Sequence, residues 1–194
     1  MATVLSAPRA RPVSQRLLTD ADFAALLDHL PTGPVKYELY YGELVVMAPA
    51  GDWHAGHQSN VLKFFLRLED AGAGRAKGEG MIVLARNPTL LLAPDAYFFT
   101  PDQLPNKRSR EGYTETIPKV VVEIRSKNDS VREVTDKLAE YLAAGVVEAW
   151  HVDPFREVVE IHTATGGRSF GIGDAVVSAV LPGFAATVAE LLAE

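Results

Sequence analysis

Lys119-Val120-Val121-Val122-Glu123-Ile124-Arg125-Ser126-Lys127 places one glutamate inside an apolar run. Three valines and an isoleucine around a single carboxylate read as a strand buried on both faces. An ionised carboxylate is costly there unless it is paired or bound to a metal. A second stretch repeats the pattern: in Leu90-Leu91-Leu92-Ala93-Pro94-Asp95-Ala96-Tyr97-Phe98-Phe99, Asp95 lies between two apolar segments. Two acids held in apolar strands are the raw material of a divalent-metal hydrolytic site.

Outward from these strands, the pattern predicts a mixed α/β domain. Thr19-Asp20-Ala21-Asp22 resembles a capping box, with Asp in place of the usual Glu or Gln, and starts a helix carrying Phe23, Leu26, Leu27 and Leu30. Residues 36–40 and 43–48 read as strands joined at Tyr41-Gly42. A long helix over 54–71 turns Val61, Leu62, Phe64, Phe65 and Leu68 to one face. Further strands are expected at 79–85, 91–99, 118–126, 147–153 and 157–163, with weaker candidates at 168–172 and 175–178. A helix capped by Asp129 or Ser130 runs to Ala144-Gly145, and a short one closes the chain at 187–193. Residues 1–18 read as a disordered tail and 19–194 as one domain. The elements do not alternate strictly, which argues against a barrel, and no glycine-rich phosphate loop follows a strand.

Composition narrows the function classes. The chain has 194 residues, 47% of them hydrophobic, enough for a packed core. The net charge of -6 argues against coating nucleic acid by bulk charge, though not against a local basic groove. With no cysteine, disulfides, thiolate zinc sites and thiol catalysis are excluded. No apolar stretch approaches the ~20 residues of a membrane helix, and Met1 to Arg16 lack an apolar signal core. The expected compartment is the cytoplasm.

Spacing then brings the candidate groups together. Strand period two puts Val121, Glu123 and Arg125 on one face, and Asp95, Tyr97 and Phe99 on one face of their strand. If the strands are neighbours, the two carboxylates meet. In the following helix Val131, Val134, Leu138, Tyr141 and Leu142 form the inward stripe, and Lys137 lies at its edge. The lysine can therefore point at the sheet where Glu123 ends its strand. Carboxylates suit Mg²⁺ or Mn²⁺, and a nearby lysine can hold an attacking water or stabilise a phosphorane-like oxyanion. A buried acid–lysine pair that only organises the core accounts for the same spacing.

Taken in order, several stretches resemble the Uma2 family of endonucleases, a domain-of-unknown-function family within the PD-(D/E)xK nuclease superfamily. They are the run from Tyr37 to Pro49 with His57 shortly after; Pro94-Asp95-Ala96-Tyr97-Phe98; Val121-Val122-Glu123-Ile124-Arg125-Ser126; Asp136-Lys137-Leu138-Ala139-Glu140-Tyr141 with Ala144-Gly145-Val146; and Glu148-Ala149-Trp150-His151-Val152-Asp153-Pro154. The resemblance spans most of 19–194. It implies a restriction-endonuclease-like mixed β-sheet core flanked by helices, and Mg²⁺- or Mn²⁺-dependent hydrolysis of phosphodiesters, DNA first among them. It carries over Asp95 and Glu123 as metal ligands, joined by the main-chain carbonyl of Ile124.

The superfamily lysine would fall two residues after Glu123, where Arg125 stands. Arginine stays protonated and cannot serve as a base. The Uma2 pattern moves the lysine to the next helix, as Lys137, with Lys127 the runner-up in the exit loop. Glu38 matches the family's acidic position on the first strand and would complete the metal shell; a hairpin glutamate paired with a base is the competing reading. His57 matches a recurrent histidine near the start of the long helix, assisting substrate or metal, and helix packing explains it equally. His54 shares that helix face, but two histidines without a third ligand do not make a zinc site. His151 reads as structural. Arg125, Lys127 and Arg132 near the site, and Lys107, Arg108 and Arg110 in the polar loop, are candidate phosphate contacts, with a solvated loop the alternative for the second group. The resemblance also implies a homodimer. A non-catalytic binding or assembly protein retaining the fold, or a hydrolase of RNA or small nucleotides, is the rival function.

Overall fold

The computed structural model describes residues 17–31, 35–104 and 112–193. Lys107, Arg108 and Arg110 lie outside the described residues. Helix α1 (Asp20–Leu27) opens on the expected capping box, with the Thr19 side chain accepting from the Asp22 amide and the Asp22 side chain accepting from the Thr19 amide. Strands β1 (Lys36–Tyr40) and β2 (Glu43–Met47) pair antiparallel through a two-residue turn. Tyr41 and Gly42 take φ of 52° and 83°, the pair of positive values a tight hairpin needs. A Cβ on Gly42 would come within 2.7 Å of Leu17 Cβ, so glycine also lets the N-terminal segment pass close.

Helix α2 (Asp52–Asp70) follows, then β3 (Arg75–Gly78), β4 (Ile82–Arg86), β5 (Thr89–Leu92) and β6 (Ala96–Phe99). Beyond a short 3₁₀ turn at Pro101–Gln103 come β7 (Val120–Ile124), α3 (Val131–Ala143), β8 (Glu148–Asp153), β9 (Val158–Thr163) and β10 (Gly166–Gly171). A small pair, β11 (Ala175–Val176) and β12 (Ala186–Thr187), and helix α4 (Val188–Leu191) end the described chain.

The strands form two main sheets. One has the order β2-β1-β5-β4, and the other β10-β9-β8-β7-β6-β3. Among the described named strands, β7 and β8 are the pair that runs parallel, with α3 as the crossover between them. The mixed α/β class expected from the sequence is therefore the observed one. The run at 91–99 is not one strand. Pro94 cannot donate to a ladder, and the chain breaks at residues 93–95, so that β5 belongs to the small sheet and β6 to the large one. Asp95 sits at that seam. Strand β3 was not expected: it is a short, charged edge strand whose described partner is β6 alone.

Alternation sorts the two faces of the large sheet. Ala96, Phe98, Val120, Val122, Ile124, Trp150 and Val152 pack with Val61, Phe65 and Leu68 of α2 and with the C-terminal segment. Tyr97, Phe99 and Val121 face the other way, against Val134, Leu138 and Tyr141 of α3 and against Ile82, Leu90 and Leu92 of the small sheet. Helix α1 covers the small sheet's outer side through Phe23, Leu39 and Leu91. Glu123 thus faces the seam between sheet, sheet and helix.

Candidate active site

The two expected acids and the lysine come from the seam between β5 and β6, from β7 and from α3. Glu123 is buried near the end of β7, and α3 leans across that end with its Val134, Leu138 and Tyr141 stripe inward. The same helical phase brings Lys137 Nζ to 2.9 Å from Glu123 Oε1. It also brings Nζ to 2.9 Å from Glu38 Oε1 on β1. Tyr141, one turn further, donates its hydroxyl to Glu123 Oε1 at 2.7 Å. Glu38 accepts from the Ala93 amide at 2.7 Å, which pins β1 to the chain break beside Asp95. The hairpin is clamped onto α3 as well, because Tyr40 and Tyr41 both donate to Glu140.

Asp95 approaches from the neighbouring strand. Its Oδ2 accepts from the Ile124 amide at 2.8 Å, so the two strand ends are joined through the carboxylate. Oδ1 lies 3.6 Å from Lys36 Nζ, which also bonds Glu79 at 2.8 Å. His54, in the first turn of α2, places Nε2 3.2 Å from Asp95 Oδ2 and 3.0 Å from the Ile124 carbonyl. Both neighbours are acceptors, so Nε2 carries the proton. Gln58, one turn along, donates to the Asp95 carbonyl at 2.8 Å and to Glu79 at 3.1 Å.

The electrostatics follow from crowding acids in a place with little water. Burial pushes the Glu123 carboxyl up to about 7; Lys137 opposes that rise, while the charges of Asp95 and Glu38 add to it. Burial disfavours the Lys137 ammonium, but Glu123 and Glu38 outweigh it and hold the amine in its charged form. Burial also raises Asp95, yet the hydrogen bond and charge of His54, the Ile124 amide and Lys36 bring it below its ordinary value. His54 is displaced upward, since Asp95 and the Ile124 carbonyl overcome its burial.

Among the described residues, no three Asp, Glu or His side chains are already arranged as a metal cage. The donor set still fits a hard divalent ion in kind. Mg²⁺ is ordinarily held by one or two carboxylates and keeps several waters, and here two carboxylates and a main-chain carbonyl converge at adjoining strand ends. A cation beside Glu123 would offset its burial and the charges of Asp95 and Glu38, which together raise it.

The chain matches the sequence model of a family described as "Putative restriction endonuclease", Uma2, over residues 21–189. The chain belongs to the Uma2 family. Among solved structures, it resembles a protein from Anabaena variabilis described as a "putative nuclease belonging to DUF820". The TM-score is 0.75 at 19% identity, over 90% of this chain and 97% of that one, which establishes a shared fold. No curated protein matches.

Other predicted residues of this Uma2 chain lie around the cluster rather than in it. Arg125 turns away from Glu123: its guanidinium bonds the Asp153 carboxylate at 3.1 Å and the Asp129 carbonyl at 3.1 Å, and lies 5.3 Å from the Phe155 ring centroid. Lys127 is exposed in the turn after β7, and Arg132 is exposed on α3, 3.6 Å from Asp136. His57 is buried and meets Trp53 edge-on, with ring centroids 4.5 Å apart. The histidine brought to the carboxylates is His54. A signal for it existed, since His54 heads the spacing His54, His57, Gln58, Val61, Phe64, Phe65, Leu68 that marks the buried face of α2. Strand alternation likewise aligns Lys36 with Glu38, so Lys36 was also within reach of the pattern.

Proposed function

We propose that this chain is a divalent-metal-dependent phosphodiester hydrolase that cuts DNA, working with Mg²⁺ or Mn²⁺. The observation that carries the reading is the convergence of Asp95 and Glu123 at two adjoining strand ends, with the Lys137 ammonium 2.9 Å from Glu123. Asp95, Glu123 and the Ile124 carbonyl would hold the metal, and Glu38 would complete its surroundings. A divalent cation bound there supplies hydroxide near neutral pH and offsets charge developing on the phosphate.

The protein's own groups do the positioning. The Ile124 amide and His54 fix the Asp95 rotamer, and Tyr141 fixes that of Glu123. Lys137 stays protonated in this setting, so it acts as a hydrogen-bond donor to the attacking water or to a phosphate oxygen, not as a general base. Arg125 does not replace it, being committed to Asp153.

A second reading has its own support. Lys137 already pairs with two glutamates, the arrangement of an ion cluster that only cements a core, as a non-catalytic binding or assembly protein would retain. The two part on one experiment. Wild-type protein with Mn²⁺ should nick supercoiled DNA, and Asp95→Asn should not, with unchanged circular dichroism. Equal cleavage by both would remove Asp95 from the site, and no cleavage by either over a panel of DNA and RNA substrates would favour the binding protein. Described helices include none long and apolar enough to cross a membrane.

A further inference from the structure

Two large aromatic side chains remain exposed on segments that adjoin the site residues in sequence. Trp53 is 39% exposed and Phe155 is 47% exposed. Their ring centroids are 4.9 Å apart at an interplanar angle of 58°, so they form one tilted surface patch. They come from distant parts of the chain, the first turn of α2 and the turn between β8 and β9.

Their placement is tied to the site at each end. Trp53 directly precedes His54, whose Nε2 touches Asp95 and the Ile124 carbonyl. Phe155 lies two residues after Asp153, at the end of the strand that pairs with β7. The Asp153 carboxylate accepts from the Phe155 amide at 3.0 Å and from the Arg156 amide at 3.2 Å, which sets the turn in place. Arg125, the residue after Ile124, bonds the same carboxylate and stacks its guanidinium on Phe155. Two part-exposed rings, one of them with the Arg125 guanidinium over it, are thus carried on segments that adjoin His54 and the end of β8, with Lys127 exposed in the turn after β7.

Leaving such rings in water is unfavourable, so an occupant that covers them gains affinity. We propose that Trp53 and Phe155 are a stacking platform for an unpaired nucleobase next to the scissile phosphate. The proposal rests on the nuclease reading and narrows its substrate to single-stranded, frayed or base-flipped nucleic acid. Stacking on aromatic side chains needs a free base face, which a base inside a duplex does not offer. Exposed Lys127, two residues beyond Arg125, favours an anionic strand over an apolar peptide as the occupant.

The test uses the full-length wild-type protein with chelator present, so that nothing is cut. Of the two tryptophans, Trp150 is fully buried, so quenching by a stacked base reports Trp53. Oligothymidylate of about ten nucleotides should quench the fluorescence and bind on the order of tenfold more tightly than a blunt duplex of equal length. Phe155→Ala should weaken that binding about tenfold, and Phe155→Leu, which keeps apolar bulk without a π face, should not restore it. Equal affinity for single strand and duplex, or full binding by Phe155→Leu, would overturn the platform. The outcome is separable from the nuclease reading. Quenching by a protein that cuts nothing in Mn²⁺ would keep the platform and remove the catalysis. Cleavage that Phe155→Ala leaves at wild-type rate on single strands would do the reverse.

Discussion

Glu123 and Glu148 are buried glutamates on adjacent parallel strands, yet their surroundings differ in kind. Glu148, at the start of β8, accepts from Trp150 Nε1 at 3.0 Å, Ser178 Oγ at 2.7 Å and the Ala179 amide at 2.8 Å. Arg168 stands 3.6 Å away. Its lone pairs are occupied by fixed donors, which fasten the C-terminal segment to the sheet. Glu123, at the end of β7, has one hydroxyl and one shared ammonium, and it faces the charges of Asp95 and Glu38. Burial alone therefore does not mark a site. The difference lies in like charges gathered at the end of a strand, where donors are fewer.

Catalysis should separate the two carboxylates most sharply. Glu123→Gln is expected to lower Mn²⁺-dependent cleavage on the order of a hundredfold or more, while Glu148→Gln leaves the rate within about twofold, both read from initial rates on one DNA substrate. A comparable loss from both would erase the contrast. Stability should separate their partners. Lys137→Met leaves Glu38 and Glu123 without their shared cation and should cost about 3 kcal/mol in urea unfolding. Adding Glu123→Gln to Lys137→Met should return part of that loss, because the stranded charge is gone. Glu148→Gln removes acceptor capacity from three donors and should cost about 1–3 kcal/mol, with no recovery from any change at Lys137.

How far the sequence went can be read from the same residues. The valine-rich frame of Glu123 and the helical phase of Lys137 were legible because period and apolar stripe are local. So was the mixed fold class. The flaw in the strand at 91–99 was not read, although Pro94 marks it: an apolar run on both sides hid a change of sheet. Strand β3 escaped because an edge strand of Arg75-Ala76-Lys77-Gly78 has no β-branched or large apolar residue to announce it. Val147-Glu148-Ala149-Trp150 shows a carboxylate in an apolar strand just as Glu123 does, and only tertiary donors from residues 178 and 179 tell them apart. His54 and Lys36 lay on faces that periodicity defines, but which of two histidines meets Asp95 depends on where α2 crosses the sheet.

A smaller effect tests β8 itself. Buried His151 is held below its ordinary pKa by burial, a shift that Glu160 and Asp153 only partly oppose. A folded value below the unfolded 6.5 means that the unfolded chain takes up the proton first. Its contribution is complete above that pH and is lost as pH falls. His151→Gln should therefore flatten the decline of stability on acidification below 6.5, measured by thermal unfolding across a pH series.

The most direct test of the central claim is calorimetric titration with Mn²⁺ of the wild type, Asp95→Asn and Glu148→Gln. Binding by the wild type and Glu148→Gln, with none by Asp95→Asn, is the predicted result. Binding that survives Asp95→Asn unchanged, or no binding by the wild type, would contradict it.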